Sequence, residues 1–175
     1  MRPAAQDNRI PFMNAVLKNE KCRLGNSQFG KTIISATTIK EGETVFTETG
    51  EITAVQTRLS YQVDWDKHYE PHGFSAFLNH SCRPNTALKA APGGMPVFYA
   101  LRDIAPGEEL TIDYCTFEYK TKVLADIKCL CGHDNCRGEI LGYSKLSPKD
   151  RASYGRHIAD YLKTPPPAGK KSSRK

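Results

Sequence analysis

The 175-residue sequence predicts a mostly β fold of several small sheets, closed by one C-terminal helix. Short segments rich in Ile, Val and Thr alternate with turn signals across residues 14–115. A five-residue turn pattern occurs twice, as Ile39-Lys-Glu-Gly42-Glu43 and as Ile104-Ala-Pro-Gly107-Glu108, each followed by an apolar strand. Apolar residues at helical spacing are found only near the end. No period of 20–50 residues recurs, which excludes a solenoid. With 39% apolar and 25% charged residues the chain can bury one core, which excludes full disorder.

Residues 1–13 read as an N-terminal extension. The predicted strands are KTIISA (31–36), ETVFTE (43–48), EITAVQT (51–57), TALKA (86–90) and MPVFYAL (95–101). The last two flank Ala91-Pro-Gly-Gly94, a hairpin-like turn. A C-terminal helix within 143–163 follows from Ser147 as N-cap, Pro148 at the first helical position and Asp150 as the capping-box acid. Tyr154, Ile158, Tyr161 and Leu162 then share one face. Three prolines after Thr164 end it. The stretch 164–175 is rich in Pro, Ser and Lys and predicts a disordered basic tail.

The net charge of +6 suggests a nucleic-acid binder until its position is read. Residues 163–175 carry five basic residues and no acid, which leaves 20 basic against 19 acidic residues in the rest. The body is nearly neutral, so nucleic-acid contact is expected only through the tail. No apolar run approaches the roughly 18 residues that span a bilayer, so no membrane association is expected. The first residues lack the apolar block of a secretory signal, which predicts an intracellular protein. In that compartment six cysteines argue against disulfides, and three of them, Cys129, Cys131 and Cys136, fall within eight residues.

Three constellations could carry chemistry. Cys129-Leu-Cys131-Gly-His-Asp-Asn-Cys136 lets thiolates converge on one metal ion, with Gly132 helping the backbone bend. Tetrahedral zinc needs a fourth ligand, and His133 and Cys82 both remain candidates. Phe77-Leu-Asn79-His80-Ser81-Cys82-Arg83-Pro84-Asn85 packs donors and acceptors densely, either to grip a polar ligand or to cap its own loop. In Gly107-Glu-Glu-Leu110-Thr-Ile112-Asp-Tyr114, alternation puts Leu110, Ile112 and Tyr114 on one face.

NHSCRPN, GEELTIDY and CLCGHDNCRG, in that order, resemble the SET domain with its cysteine-rich post-SET segment, a family of protein-lysine N-methyltransferases that use S-adenosylmethionine. The resemblance implies a β-clip-like SET domain over 14–120 and a zinc-bound post-SET segment over 121–142. It further implies a pseudoknot in which one of the segments 79–85 and 107–114 threads past the other. Asn79 and His80 match the pair that contacts the methyl donor, and Gly30-Lys31-Thr32 lies where the family has a donor-binding glycine turn. Leu130 matches a further donor contact. Tyr114 matches the tyrosine beside the transferred methyl, and Tyr61 would supply a second phenol. Cys82 joins Cys129, Cys131 and Cys136 as the fourth ligand of a structural Zn2+.

The implied reaction is methyl transfer to the ε-amine of a lysine in a protein substrate, such as a histone tail. A lysine amine has a reference pKa of about 10.4 and must lose its proton to react. An apolar channel beside a sulfonium favours that loss through desolvation and like-charge repulsion. In-line positioning supplies roughly 7–11 kcal/mol, so no dedicated base is required. The chain departs from the family pattern in three places. Thr32 replaces a glycine, Glu48 stands where a tyrosine is common, and Ile112 replaces Phe or Tyr in the substrate channel. An aliphatic residue at 112 leaves a roomier pocket, open to di- or trimethylation. The competing expectation is a catalytically silent SET module that binds the donor or a peptide without turnover. A zinc-stabilised nucleic-acid adaptor would need a basic body. The expected location is the nucleus in a eukaryote and the cytoplasm in a bacterium.

Overall fold

The computed structural model describes residues 19–90, 95–124 and 127–167. The N-terminal extension, the 91–94 turn and most of the basic tail therefore lie outside the described residues. Among the described residues ten strands form three sheets. β1 (Cys22–Ser27) and β2 (Gly30–Ser35) make an antiparallel hairpin. β4 (Gly50–Thr53), β5 (Tyr61–Asp64) and β6 (Lys67–Pro71) make a second sheet with β6 in the middle. β3 (Thr44–Thr47), β7 (Asn79–His80), β8 (Thr86–Ala90), β9 (Pro96–Ala100) and β10 (Thr111–Ile112) form the third, in the order β3-β9-β8-β10-β7.

The recurring turn explains how these sheets meet. Ile39 and Ile104 pair in an antiparallel bridge, each donating its amide to the other's carbonyl at 3.0 and 2.8 Å. Both isoleucines are fully buried. In each copy the closing glutamate accepts from the backbone of its own turn, Glu43 from Lys40 and Glu108 from Ala105. Gly42 and Gly107 sit at φ +79° and +85°, where an L side chain is strained. The two copies are a matched pair across one face.

β10 is the feature that builds the site. It runs parallel to β7 (Thr111 opposite Asn79, Ile112 opposite His80) and, on its other side, to β8 (Ile112 opposite Thr86). The later segment is thus inserted between two parts of the earlier one, which is the threading the pseudoknot expectation describes. Asn85 locks it, donating to the Glu109 carbonyl at 2.8 Å and accepting from the Thr111 amide at 2.8 Å. Ile33, Phe98, Leu110 and Ile112 close the core beneath. Phe46 stacks on Phe98 at 4.6 Å.

Two expectations need correction. The strand expected over 51–57 stops at Thr53, whose hydroxyl accepts from the Val55 amide and bends the chain out of the sheet. The C-terminal helix, α1, spans only Pro148–Tyr154. Its start is as expected, since Ser147 Oγ accepts from the Asp150 amide and donates to the Asp150 carboxylate. Gly155, at φ +51°, ends it. Ile158, Tyr161 and Leu162 still reach the core, through an extended segment and a 3-10 turn at Asp160–Lys163. Tyr161 donates its hydroxyl to the Phe117 carbonyl at 2.7 Å. Among the described residues no helix is long and apolar enough to cross a membrane.

Candidate functional site

The four sulfurs of Cys82, Cys129, Cys131 and Cys136 lie within 4.8 Å of one another. With Zn–S bonds of about 2.3 Å, the edge of a ZnS4 tetrahedron is about 3.8 Å. Cys82 Sγ and Cys129 Sγ are 3.8 Å apart. The donor set therefore fits zinc, and four thiolates leave no open position for catalysis. Exposed His133 falls outside the group, and the fourth sulfur beside the three of the cysteine-rich segment is that of Cys82. Gly132 and Gly138, at φ +74° and +76°, make the turns that fold the ligand loop. The amides of Arg137 and Gly138 approach Cys82 and Cys136 sulfurs at 3.5 and 3.4 Å, offsetting thiolate charge.

His80 links this cluster to the core. Its Nδ1 accepts from the Tyr114 amide at 3.3 Å, which assigns the ring proton to Nε2, 3.5 Å from Cys82 Sγ. Burial holds the imidazole neutral. Its ring lies 5.2 Å from that of Tyr114. Tyr114 donates its hydroxyl to the Leu78 carbonyl at 2.8 Å, and burial pushes the phenol up to about 12 against the opposing charge of Arg58. It stays a neutral hydrogen-bond group at physiological pH.

Beside Tyr114 opens a cavity of about 520 Å³. Tyr61, Asn79, His80 and Tyr114 line it from the core, and Leu130 from the cysteine-rich segment. Lys31 lines it from β2. Phe29, Val123, Ile127 and Leu130 leave an exposed apolar rim. Of the other expected residues, Gly30 lies beside Lys31 in the β1–β2 hairpin at φ +109°, with nothing within 4 Å of where a Cβ would be. Thr32 and Ile112 are not in the lining; both are fully buried. Alternation turns Thr32 inward once Lys31 faces the cavity, and Ile112, in the strand flanked by β7 and β8, packs into the core cluster.

Tyr61 is buried edge-on against Phe98 and Phe117, and its hydroxyl, near the Ser75 side chain, makes no well-formed hydrogen bond among the described residues. A hydroxyl left so at a cavity wall is a place for a ligand's polar atom. Nearby Glu48 is buried, accepting from the Ser75 amide at 2.7 Å and from the Ser75 hydroxyl. Burial raises its pKa, and the Ser75 contacts oppose this.

Four residues of the site, Glu109, Asp113, Arg137 and Glu118, carry no signal that spacing reveals. Glu109 Oε1 accepts from Thr32 Oγ1 at 2.5 Å and from Asn79 Nδ2 at 2.8 Å, so one carboxylate orients two expected donor-site residues. Asp113, fully buried, accepts from Arg137 Nη2 at 2.5 Å and from the Tyr154 hydroxyl. Glu118 Oε1 accepts from the Gln62 amide at 2.9 Å and its Oε2 from the Gln56 side chain at 2.5 Å.

Burial pushes Glu118 up to about 8, although both of those donors favour its anion. Between the ordinary carboxylate value and about 8, the folded chain then binds one more proton here than the unfolded chain. This contribution to stability is greatest below that window and falls as pH rises through it. Glu118→Gln is expected to gain stability relative to wild type as pH rises from 5 to 8, read by urea unfolding at each pH. A constant difference would remove the burial account.

Residues 30–115 match the family model described as SET domain. A histone-lysine N-methyltransferase, H3 lysine-4 specific, of Eremothecium gossypii is 49% identical over 69 residues, which are 38% of this chain and 7% of that protein. The Saccharomyces cerevisiae protein of the same description is 46% identical over 69 residues, 38% of this chain and 6% of that one. The match therefore spans a small part of those relatives' length. Among solved structures, KRYPTONITE in complex with mCHH DNA, an H3(1-15) peptide and SAH superimposes with a TM-score of 0.57 at 24% identity, covering 68% of this chain and 29% of that one. That likeness concerns the fold. The inserted β10, the NHSC-linked cysteine cluster and the matched segment agree: residues 30–115 are a SET domain.

Proposed function

We propose that this chain transfers methyl groups from S-adenosylmethionine to the ε-amine of a lysine in a protein substrate, a histone or another protein. The observation that carries the reading is the phenol of Tyr114, held by Leu78 O and the His80 ring at the wall of a cavity edged by apolar side chains. The H3 lysine-4 description of the similar proteins supports a histone as one candidate acceptor, with a nuclear setting in a eukaryotic source.

The methyl donor supplies an electrophilic methyl on a sulfonium. Asn79 and Lys31 line the side of the cavity suited to hold its amino-acid end, and Leu130 and Phe29 offer apolar faces to its ring system. Tyr114 and Tyr61 surround the space where the amine would enter. The amine arrives neutral, forms the N–CH3 bond as the S–CH3 bond breaks, and passes its remaining proton to water. Tyr114 orients the nitrogen and stabilises charge near the moving methyl through its fixed oxygen dipole.

The departures at Thr32 and Glu48 are absorbed by hydrogen bonds to Glu109 and Ser75, so neither blocks the cavity. Ile112 lies outside the cavity lining, so it does not set the width of the channel. Any larger side chain there would have to overpack the core before it reached the amine.

The test is methyl transfer from labelled S-adenosylmethionine by zinc-loaded protein, with mixed histones and a cell extract as acceptors. Label on lysine that falls at least about 100-fold in Tyr114→Phe is the expected result. Donor binding by calorimetry without any transfer would instead establish the silent module.

A further inference from the structure

One buried acid behind the cavity wall has no part in the mechanism so far. Glu48 directly follows β3, at the position where a tyrosine is common in the family. Its Oε2 accepts from the Ser75 amide at 2.7 Å and from the Ser75 hydroxyl. Its Oε1 lies against Gly73, where a Cβ would collide with it. Ser75, in the 3-10 turn Phe74–Phe77, is itself part of the cavity lining.

These hydrogen bonds run in one direction. The Ser75 hydroxyl has one hydrogen, and Glu48 receives it, so only lone pairs of Oγ remain for a neighbour. That neighbour is the buried Tyr61 hydroxyl at the cavity wall. Between the two hydroxyls Tyr61 is therefore the donor, and its own oxygen is left to accept from whatever enters the cavity. Tyr61 and Tyr114 flank the Phe117 ring, with centroids 5.2 and 5.7 Å from it. The free lone pairs of Tyr61 thus belong to the same end of the cavity as the phenol of Tyr114.

An acceptor lysine is an ammonium in solution, with a reference pKa of about 10.4, and it must lose a proton before it attacks. Resting on the methyltransferase reading, we infer that Tyr61, Ser75 and Glu48 form a relay that takes this proton. The ammonium N–H bond breaks as the Tyr61 oxygen gains that hydrogen. The Tyr61 hydroxyl hydrogen passes to Ser75 Oγ, and the Ser75 hydrogen passes to Glu48 Oε2. An ammonium and a carboxylate become a neutral amine and a neutral carboxylic acid, and the freed lone pair attacks the methyl. Glu48 returns its proton to water by the reverse of the same line once the product has left.

Desolvation narrows the difference in proton affinity from both ends. Burial raises that of Glu48, and a dry cavity beside a sulfonium lowers that of the amine. The other titratable groups facing the line are Tyr114 and Tyr69 beside Tyr61, and His72 beside Glu48. Tyr69 is buried outside the cavity lining and His72 is exposed, so neither lies between the cavity and Glu48.

The test is the pH dependence of label transfer to mixed histones by the full zinc-loaded chain, from pH 7 to 10. Glu48→Gln keeps an oxygen that can accept from both Ser75 groups but cannot take up a proton. Ser75→Ala and Tyr61→Phe interrupt the line at its other two members. Donor binding by calorimetry checks that each variant is folded. At pH 7 each should transfer on the order of 100-fold more slowly than wild type. The gap should close as pH nears about 10, where the amine arrives neutral. Combining Glu48→Gln with Ser75→Ala should cost no more than either alone.

A loss of the same size at every pH, or no loss, overturns the relay and leaves the methyltransferase reading standing. If the wild-type chain labels nothing at any pH, that reading fails, and infrared difference spectroscopy decides the relay separately. With donor bound, adding a lysine peptide should bring up the C=O band of a protonated carboxyl that Glu48→Gln lacks. Absence of that band in the wild-type chain overturns the relay.

Discussion

Stripping zinc from the cysteine cluster is expected to free the whole segment 127–142 and abolish donor binding. That segment has little regular structure of its own among the described residues. One bridge joins Lys128 to Glu139, and a few backbone hydrogen bonds surround it. What fixes it to the core is the convergence of three of its thiols on Cys82, a residue of the loop that follows β7, together with the pair between Arg137 and Asp113. In small zinc domains metal binding contributes about 10–16 kcal/mol of apparent free energy, most of it spent on ordering the chain. Ile127, Leu130 and Ile140 line the cavity from this segment, so they leave with it. After treatment with a strong chelator, limited proteolysis should cut within 127–142 while the sheets resist. Calorimetry should show no donor binding, and added zinc should restore both. Cys82→Ser should behave in the same way without a chelator. Unchanged cleavage and unchanged binding would mean that the cluster orders itself without a metal.

The second large effect concerns Arg137. Its guanidinium, adjacent to the ligand Cys136, reaches into the core to pair with Asp113, which has no exposed surface. Asp113 also receives the Cys115 amide at 2.9 Å and the Tyr154 hydroxyl, while Arg137 Nη1 donates to that same hydroxyl at 3.0 Å. One ion pair thus joins the end of β10, the cysteine-rich segment and α1. Removing only the cation strands a carboxylate out of water, a loss of about 3–5 kcal/mol. Arg137→Met should lower the urea midpoint accordingly. Because Asp113 directly precedes Tyr114, methyl transfer should fall too. Adding Asp113→Asn to the same chain should recover part of the stability, since the uncompensated charge is then gone. An Arg137→Met chain as stable as wild type would show that the pair contributes no net stability.

Much of this architecture was legible from local pattern. β8 occupies the expected residues, and β2, β3 and β9 differ by one residue at one or both ends, because Ile, Val and Phe alternate there with turn residues outside. β1, β5 and β6 were not read. CRLGNS and KHYEP hold too few β-branched residues to stand out, and they pair because the chain returns on itself, not because of composition. The helix was too long by its second half, since apolar spacing continues past Gly155 while the backbone does not.

In the site, the sulfur spacing and the NHSC and GEEL motifs brought most of the lining to notice. Glu109, Asp113, Glu118 and Arg137 stayed hidden for a common reason. A charged residue in a sequence is by default a solvated one. Nothing local distinguishes an acid that will be buried against a partner 24 positions away, as Asp113 is against Arg137.

The insertion of β10 between β7 and β8 also bears on how the chain can be made. A strand with neighbours on both sides, each supplied by an earlier stretch, completes a slot that stays open until it arrives. A chain stopped anywhere between Ala90 and Leu110 would present two unfilled parallel edges, the kind of surface that recruits foreign strands. Long-range closure of this sort also delays the search for the native state, because the loop entropy is lost before the contacts that reward it form. The first half of the domain thus leaves the slot between β7 and β8 unpaired. Thr111 and Ile112 are the residues that fill it.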